Sequence, residues 1–205
     1  MLVYVVDDDS VSRRAIGMTV QRLGYSVKYF SSGLSLIEEE YLEPGCILLD
    51  LCMPDASGND VLEALYDRHC PLPVVIITGL SDIGAVVRAM KLGALDVLIK
   101  PLQTDALASA IQQSSVMLKR NARRHDVAEQ AERRLQCLTP RERDVLSGLA
   151  KGLPNKTIGY DLGISSRTVE IHRAHLMAKL DVHSLSELLR IVYDAESDGA
   201  RGTNV

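Results

Sequence analysis

The sequence lacks any apolar run close to the roughly 20 residues that a membrane-spanning helix needs, so we expect no membrane partner. It also lacks the basic stretch and cleavage site of an export signal, which favours a cytoplasmic protein. Its four cysteines follow none of the spacings that bind metals, which indicates reduced thiols. The remaining composition, 205 residues with 46% hydrophobic and 24% charged, is typical of a globular chain with one large or two small domains.

Charge is distributed unevenly along the chain. Residues 1–115 carry 8 basic and 15 acidic side chains, whereas the remainder carries 15 and 12. An acidic front half fits a cation-binding pocket, and a mildly basic back half permits a polyanionic partner. The basic excess is too small to identify that partner.

Four short apolar runs in the front half each stop at a polar residue. The runs are followed by Asp7 to Asp9, Asp50, Thr78 and Lys100. Segments of helical length separate the runs, so we predict a doubly wound α/β domain over residues 1–117 with a five-stranded parallel sheet. Strands are predicted at 2–6, 26–30, 46–49, 74–78 and 96–99, and helices at 10–23, 34–41, 58–68, 82–92 and from 104 onward. The carboxyl ends of such strands line one crevice, where we expect the polar residues to converge.

Three carboxylates in one crevice repel each other by roughly 4 kcal/mol per pair at an effective dielectric near 20. Such a cluster either protonates or binds a cation, and oxygen ligands favour Mg²⁺ over Ca²⁺. A threonine hydroxyl and a lysine ammonium alongside suit an anion that also touches the metal, such as a phosphoryl group. The alternative is that Asp7 to Asp9 merely hydrate a strand end and that Asp50 caps the next helix.

These residues resemble the receiver domain of two-component response regulators. The resemblance rests on the acidic pair, on Asp50-Leu51-Cys52-Met53-Pro54, on Thr78-Gly79 and on Lys100-Pro101. It implies that Asp50 takes a phosphoryl group from a phosphohistidine of a sensor histidine kinase, with Thr78 and Lys100 contacting the phosphoryl oxygens. It implies a Mg²⁺ site formed by Asp8, Asp50 and the backbone carbonyl of Cys52, with Asp7 acting through water.

Two features depart from the receiver pattern. Receivers usually carry Tyr or Phe three residues before the lysine, where this chain has Val97. Because Val97 sweeps a smaller volume, we expect a looser link between phosphorylation and dimerisation. Cys52 and Leu80 offer no polar side chain to orient a hydrolytic water, so we expect slow self-dephosphorylation. Because the aspartate turns over only its own phosphate, we expect no enzymatic activity beyond this reaction and self-phosphorylation.

Residues 104–135 contain no proline or glycine, which predicts one long helix, or a helix with a frayed middle, whose part at 118–137 links two domains. An all-α domain of four helices follows at 138–195, with helix starts indicated at Thr139, Asn155, Ser165 or Ser166, and Ser184 with Glu187. The tail at 196–205 is small and polar, and we expect it to be disordered.

Helical periodicity divides the segment 166–180 into two faces. Val169, Arg173, Leu176 and Leu180 share one face, which we expect to pack on neighbouring helices. The other face places Ile171 among small residues, which suits close approach to a DNA groove. An ordinary surface with one stray isoleucine is the alternative.

This module resembles the LuxR-type helix-turn-helix, and the run Arg167-Thr168-Val169-Glu170-Ile171-His172-Arg173-Ala174 is closest to the FixJ-type subgroup. The resemblance implies that the segment 166–180 enters the major groove of double-stranded DNA, with 155–162 crossing the backbone. The candidates for phosphate contacts are Lys156, Arg167, Thr168, Arg173 and Lys179. The candidates for base contacts are Glu170, Ile171, Ala174 and His175, the last replacing the asparagine that is common there. Relatives pair through the last helix, although a helix packed inside the domain would look the same.

Together these patterns favour a phosphorylation-dependent, DNA-binding transcriptional regulator that forms a homodimer when phosphorylated. One alternative is a constitutive DNA-binding protein that uses the receiver only for dimerisation. The other is a phosphoryl sink or adaptor that acts through protein contacts.

Overall fold

The computed structural model describes residues 1–79 and 83–196. The predicted disordered tail, apart from Glu196, therefore lies outside the described residues, as do Leu80 and the first residue of the helix predicted at 82–92. The strands are β1 Leu2–Val6, β2 Ser26–Phe30, β3 Gly45–Asp50, β4 Val74–Thr78 and β5 Asp96–Ile99. They form one parallel sheet of five strands, as predicted, and the structure gives their order as β2-β1-β3-β4-β5.

Helices cover both faces of the sheet, which confirms the doubly wound class. They are α1 Ser10–Arg22, α2 Gly33–Ile37, α3 Gly58–Asp67, α4 Ile83–Lys91 and the long α5 Thr104–Gln136. Alternate residues of β1 point to opposite faces. Val3 and Val5 pack in the cluster that includes residues of α1 and α5, whereas Tyr4 and Val6 pack with residues of α2, α3 and α4.

Helix α2 is shorter than predicted, because it ends at Ile37 instead of residue 41. The predicted continuation holds three successive glutamates, whose negative charge is unfavourable at the carboxyl end of a helix. The guanidinium of Arg68 donates to the backbone carbonyls of Ile37 and Glu39, which gives the end of the helix partners outside its own turns.

The long helix α5 spans 33 residues without interruption. Leu107, Ala110 and Ile111 in its first half are buried against the sheet. The chain divides into two compact units, residues 1–121 and 122–205, and the division falls within α5. The last turns of α5 belong to the second unit. The buried core of that unit includes Ala131 of α5 and Leu138, which follows the end of the helix.

The second unit continues with α6 Pro140–Ala150, α7 Asn155–Leu162, α8 Ser166–Lys179 and α9 Leu185–Glu196, which confirms the four predicted helices. Thr139 caps α6 through a reciprocal capping box with Glu142, and Ser165 caps α8. The cap predicted at Asn155 is wrong, because the extended backbone of Pro154 occupies the N-cap and Asn155 is the first helical residue.

The start of α9 differs from the capping box expected between Ser184 and Glu187. The Ser184 hydroxyl accepts the Glu187 N–H at 3.2 Å, but the Glu187 carboxylate accepts the N–H of His183 at 2.9 Å. The serine contact is therefore the expected one, whereas the glutamate satisfies a backbone donor one residue earlier than a capping box requires. No helix within the described ranges combines the length and the apolar character of a membrane span.

Candidate functional site

The four polar residues predicted to converge lie at the same edge of the sheet. Asp7 directly follows β1, Asp50 ends β3, Thr78 ends β4 and Lys100 directly follows β5. The strand register pairs Asp50 with Ile77, and Thr78 with Ile99, so the carboxyl ends of β3, β4 and β5 stay in step. Parallel pairing thus brings together side chains that are up to 93 residues apart in the sequence.

Three carboxylates form a tight cluster at this edge. Asp7, Asp8 and Asp50 each offer a carboxylate oxygen, and these oxygens lie within 4.8 Å of one another. Asp7 and Asp50 are 1% and 6% exposed, whereas Asp8 is exposed. Burial strengthens the repulsion among like charges, since water screens it less. The arrangement therefore favours a bound cation.

Lys100 supplies part of the compensating charge. Its Nζ donates to Oδ2 of Asp50 at 2.6 Å and to Oδ2 of Asp7 at 2.9 Å. Burial alone lowers the pKa of Lys100, but the hydrogen bonds to Asp50 and Asp7 outweigh it, so the pKa is raised and the ammonium stays charged. Arg13 brings a second positive charge close by, since its guanidinium donates to the backbone carbonyl of Asp7 at 2.6 Å. Three carboxylates still exceed these two cations, which leaves an excess of negative charge in the pocket.

Backbone and hydroxyl groups fix the orientation of both buried carboxylates. Asp7 accepts the Ser12 hydroxyl at 2.7 Å and the Asp9 N–H at 2.9 Å. Oδ1 of Asp50 accepts the Cys52 N–H at 3.1 Å. The role of Ser12 was not foreseen from the sequence, although its place in the first turn of α1, three residues after the capping Asp9, is a usable signal.

Gly58 allows the first turn of α3 to pack closely against the end of β3, where Asp50 lies. A Cβ at this position would lie 2.6 Å from the backbone oxygen of Asp50 and 2.9 Å from Cα of Leu51. Real Cβ atoms do not approach backbone so closely, so a side chain here would push α3 away from the end of β3. Ser57 caps α3 with a reciprocal capping box to Asp60, which fixes where the helix begins.

Thr78 and Val97 lie on the two strands beyond β3. Thr78 is buried, and its carbonyl accepts the Lys100 N–H at 2.8 Å, which connects the threonine to the lysine through the backbone. Val97 pairs with Ile76 in the ladder and packs, partly buried, against the core on the α3 and α4 side. Val97 therefore packs beside this core, three residues before Lys100 in the sequence.

The second candidate site is the outer face of α8. Val169 and Leu176 are buried, and Arg173 is half-buried, as the periodicity predicts. The other face carries exposed side chains, which include Arg167, Glu170, Ile171, Ala174, His175 and Ala178. Ile171 keeps 49% of its surface exposed, which leaves an apolar side chain available on a polar face.

The remaining DNA candidates differ in their surroundings. Lys156 is exposed on α7, and the hydroxyl of Thr168 lies 2.8 Å from that of Ser165. Lys179 donates to Oε2 of Glu142 at 2.7 Å, a contact inside the domain that sequence reasoning missed. Glu142 is 3% exposed, and hydrogen bonds from Lys179 and from the Thr139 N–H lower its pKa to about 2.

The chain matches two family models. One is described as the response regulator receiver domain and covers residues 3–112. The other is described as bacterial regulatory proteins of the luxR family and covers residues 136–192.

Named relatives and solved structures are similar to this chain over nearly all of its length. The transcriptional regulatory protein FixJ of Azorhizobium caulinodans is 39% identical over 92% of this chain and 90% of its own length. The solved structure of the response regulator StyR is 36% identical with a TM-score of 0.72, covering 93% of this chain and 97% of that one. Full-length FixJ from B. japonicum is 36% identical with a TM-score of 0.59, covering 96% and 97%.

Proposed function

The chain belongs to the response regulators that join a receiver domain to a LuxR-type DNA-binding domain, and from this premise we propose that Asp50 is its phosphoacceptor. The protein is thus a phosphorylation-dependent regulator of transcription whose output domain is of the LuxR DNA-binding type. The observation that carries the proposal is the cluster of three carboxylates within 4.8 Å, with the Lys100 ammonium 2.6 Å from Asp50. A pocket that only hydrated strand ends would not need two buried carboxylates around one cation.

The donors fit a magnesium ion. Carboxylate oxygens are hard ligands, and one ammonium does not neutralise three of them. We assign Asp8, Asp50 and the Cys52 carbonyl as direct ligands, with Asp7 acting through water. When bound, the ion neutralises charge on the transferring phosphoryl group.

The transfer itself uses side chains of this chain. A carboxylate oxygen of Asp50 attacks the phosphorus of a phosphohistidine on a sensor histidine kinase, and the P–N bond breaks with its electrons going to the imidazole. Lys100, already 2.6 Å from Asp50, then pairs with the phosphoryl oxygens, and the Thr78 hydroxyl donates to them. Small phosphodonors would serve in the same way, and hydrolysis would be slow because Cys52 cannot orient a water through its side chain.

The exposed face of α8 is the proposed contact with double-stranded DNA. Base edges would be read by Glu170, Ile171, Ala174 and His175, and phosphates contacted by Lys156, Arg167, Thr168 and Arg173. The sequence also predicts a phosphate contact for Lys179. Its ion pair with Glu142 supports a role inside the domain before any role at the DNA. We further propose a homodimer in the phosphorylated state, a cytoplasmic location and no membrane partner.

The deciding experiment compares the full chain with its Asp50→Asn variant. Both are incubated with acetyl phosphate and Mg²⁺, then assayed for mass in solution and for selection of a duplex from a random-sequence pool. The wild type should dimerise and select a sequence, whereas Asp50→Asn should do neither under the same conditions. Equal selection by both would support the constitutive alternative, and dimerisation without any selected duplex would support the adaptor.

Val97 allows the coupling to be tested separately. Val97→Phe restores the aromatic side chain usual at this place, so we expect a larger rise in dimer fraction on phosphorylation. An unchanged dimer fraction would contradict the proposed loose coupling.

A further inference from the structure

Side chains outside α8 contact the carboxyl end of this helix in two places. The helix closes with the Val182 N–H donating to the Met177 carbonyl and the Asp181 N–H to the Ala178 carbonyl, the pattern of a Schellman motif. Asp181 adopts a φ of +48°, a left-handed conformation in which glycine is the usual residue. The helix therefore ends under some strain and gains from external partners.

Arg134, near the end of α5, is one such partner. Its guanidinium donates from Nη2 to the backbone carbonyl of Leu180, the last residue of the α8 cap. A fixed positive charge at this place also interacts favourably with the negative end of the helix dipole. The contact joins residues 46 positions apart in the chain.

Glu142, in the first turn of α6, contacts the same turn of α8. It follows the corner between α5 and α6, which consists of residues 137–139. Its Oε2 accepts both the Thr139 N–H, 2.8 Å away, and the Lys179 ammonium, 2.7 Å away. The capping group of α6 is thus also the counter-ion of the last residue of α8. Two consecutive elements, the end of α5 and the start of α6, therefore contact one turn of α8.

The corner is itself well connected. Arg143 donates to the Gln136 carbonyl at 3.2 Å, and the Leu138 N–H donates to the Leu135 carbonyl at 3.2 Å. Leu138 is 4% exposed within the helical core. The last turns of α5 are therefore packed into the helical unit and do not form a loose tether.

We propose that Arg134 is a positioning residue for DNA reading, which fixes the carboxyl end of α8 to the last turns of the linker helix. This inference rests on the proposed DNA-binding role of α8. In consequence, a displacement of the end of α5 moves α8 with it, and Arg134 affects the choice of sequence without touching DNA.

Arg134→Met tests the role, because methionine keeps an apolar stem and removes every donor. Arg133→Met is the matched control, since the neighbouring Arg133 is 69% exposed and pairs with Glu129 of its own helix. The probes are the duplex that the phosphorylated wild type enriches most from a random pool and a scrambled duplex of equal composition. We expect Arg134→Met to bind the enriched duplex about tenfold more weakly, similar to the loss of one base-pair contact, and the scrambled duplex unchanged.

The salt dependence of binding separates positioning from direct contact. Each lost phosphate contact lowers the slope of log affinity against log salt by about 0.9, so the slope should stay at its wild-type value in Arg134→Met. A reduced slope with equal losses on both duplexes would identify Arg134 as a phosphate contact and overturn the inference. So would an unchanged affinity for the enriched duplex.

Amide hydrogen exchange gives a measurement that needs no DNA. Protection of the last turn of α8, at residues 177–180, should fall in Arg134→Met, while the first turn held by Ser165 should keep its protection. Uniform loss of protection would show a merely structural effect, and no change would refute the proposed contact.

If Arg134→Met does not fold, Arg134→Lys, which keeps the charge but not the forked donors, is measured in the same way. A wild type that selects no duplex would refute the proposed function, whereas the exchange result would still decide the role of Arg134.

Discussion

Each of the two units contains a lysine paired with a buried carboxylate, yet the two pairs differ in what surrounds them. Lys100 lies between Asp7 and Asp50 with Asp8 beside them, so the pocket keeps an excess of negative charge. Lys179 faces Glu142 alone, and the Thr139 N–H provides a further donor to the same carboxylate. The first arrangement is incomplete without another cation, whereas the second is complete as it stands.

The difference shows that a buried ion pair does not by itself indicate function. Burying a charge is unfavourable unless partners compensate it, and a compensated pair mainly fixes geometry. An uncompensated cluster persists in a folded protein when a ligand of opposite charge is part of its working state. Excess charge, more than burial or distance, therefore distinguishes the receiver pocket from the corner of the helical unit.

The strongest way to break this comparison is to remove the acceptor from the pocket. Asp50→Asn should abolish formation of the acyl phosphate, because an amide is a poor nucleophile. Asp9→Asn is the control, since Asp9 caps α1 and asparagine caps equally well. Intact-mass spectrometry after incubation with acetyl phosphate and Mg²⁺ measures both. A phosphorylated Asp50→Asn chain would contradict the assignment.

The next largest effect should come from removing the charge of Lys100 in the receiver pocket. Lys100→Met leaves Asp7 and Asp50 buried without their shared partner, which should destabilise the receiver by about 3 kcal/mol in the presence of a chelator. Added Mg²⁺ should recover most of that loss, because a divalent ion supplies the missing charge. Calorimetry of the receiver transition measures it, and a transition that ignores Mg²⁺ would argue against the metal site.

The matching change at the complete site should behave differently. Lys179→Met leaves Glu142 buried and unpaired, which should destabilise the helical unit by about 2 kcal/mol. Mg²⁺ should have no effect there, because one carboxylate is too few ligands. Lys156→Met, at an exposed lysine of α7, should leave stability unchanged. Combining Lys179→Met with Glu142→Gln should recover part of the loss, and its failure to do so would point to lost packing.

A further effect should appear on acidification. The Lys179 hydrogen bond, followed by that of the Thr139 N–H, lowers the pKa of Glu142 from 4.5 to about 2. A carboxyl group whose pKa falls on folding adds stability above its unfolded pKa and loses it as the pH drops through the folded pKa. The helical unit should therefore lose stability between about pH 4.5 and pH 2, and Glu142→Gln should show a shallower decline. Equal declines, followed by circular dichroism, would show that other groups control acid unfolding.

The sequence predicted the elements and their polar ends better than the contacts between elements. Runs such as Val74 to Ile77 are buried and β-branched, so their pattern alone indicates a central parallel strand and the place where it ends. The cap at Thr139 was equally readable, since its partner Glu142 is three residues away. Lys179 was misleading, because its partner lies 37 residues earlier and a basic residue on a reading helix suggests DNA.

Gly58 carries a consequence for any mutational scan of this gene. Every missense change at its codon introduces a Cβ, and a Cβ there would meet the backbone oxygen of Asp50 at 2.6 Å. The position should therefore tolerate no replacement, alanine included, although it holds no reactive atom. Variants recovered there would be scored as signalling-defective in the same way as losses of the acceptor, and separating the two classes requires a measurement of folding as well as of output.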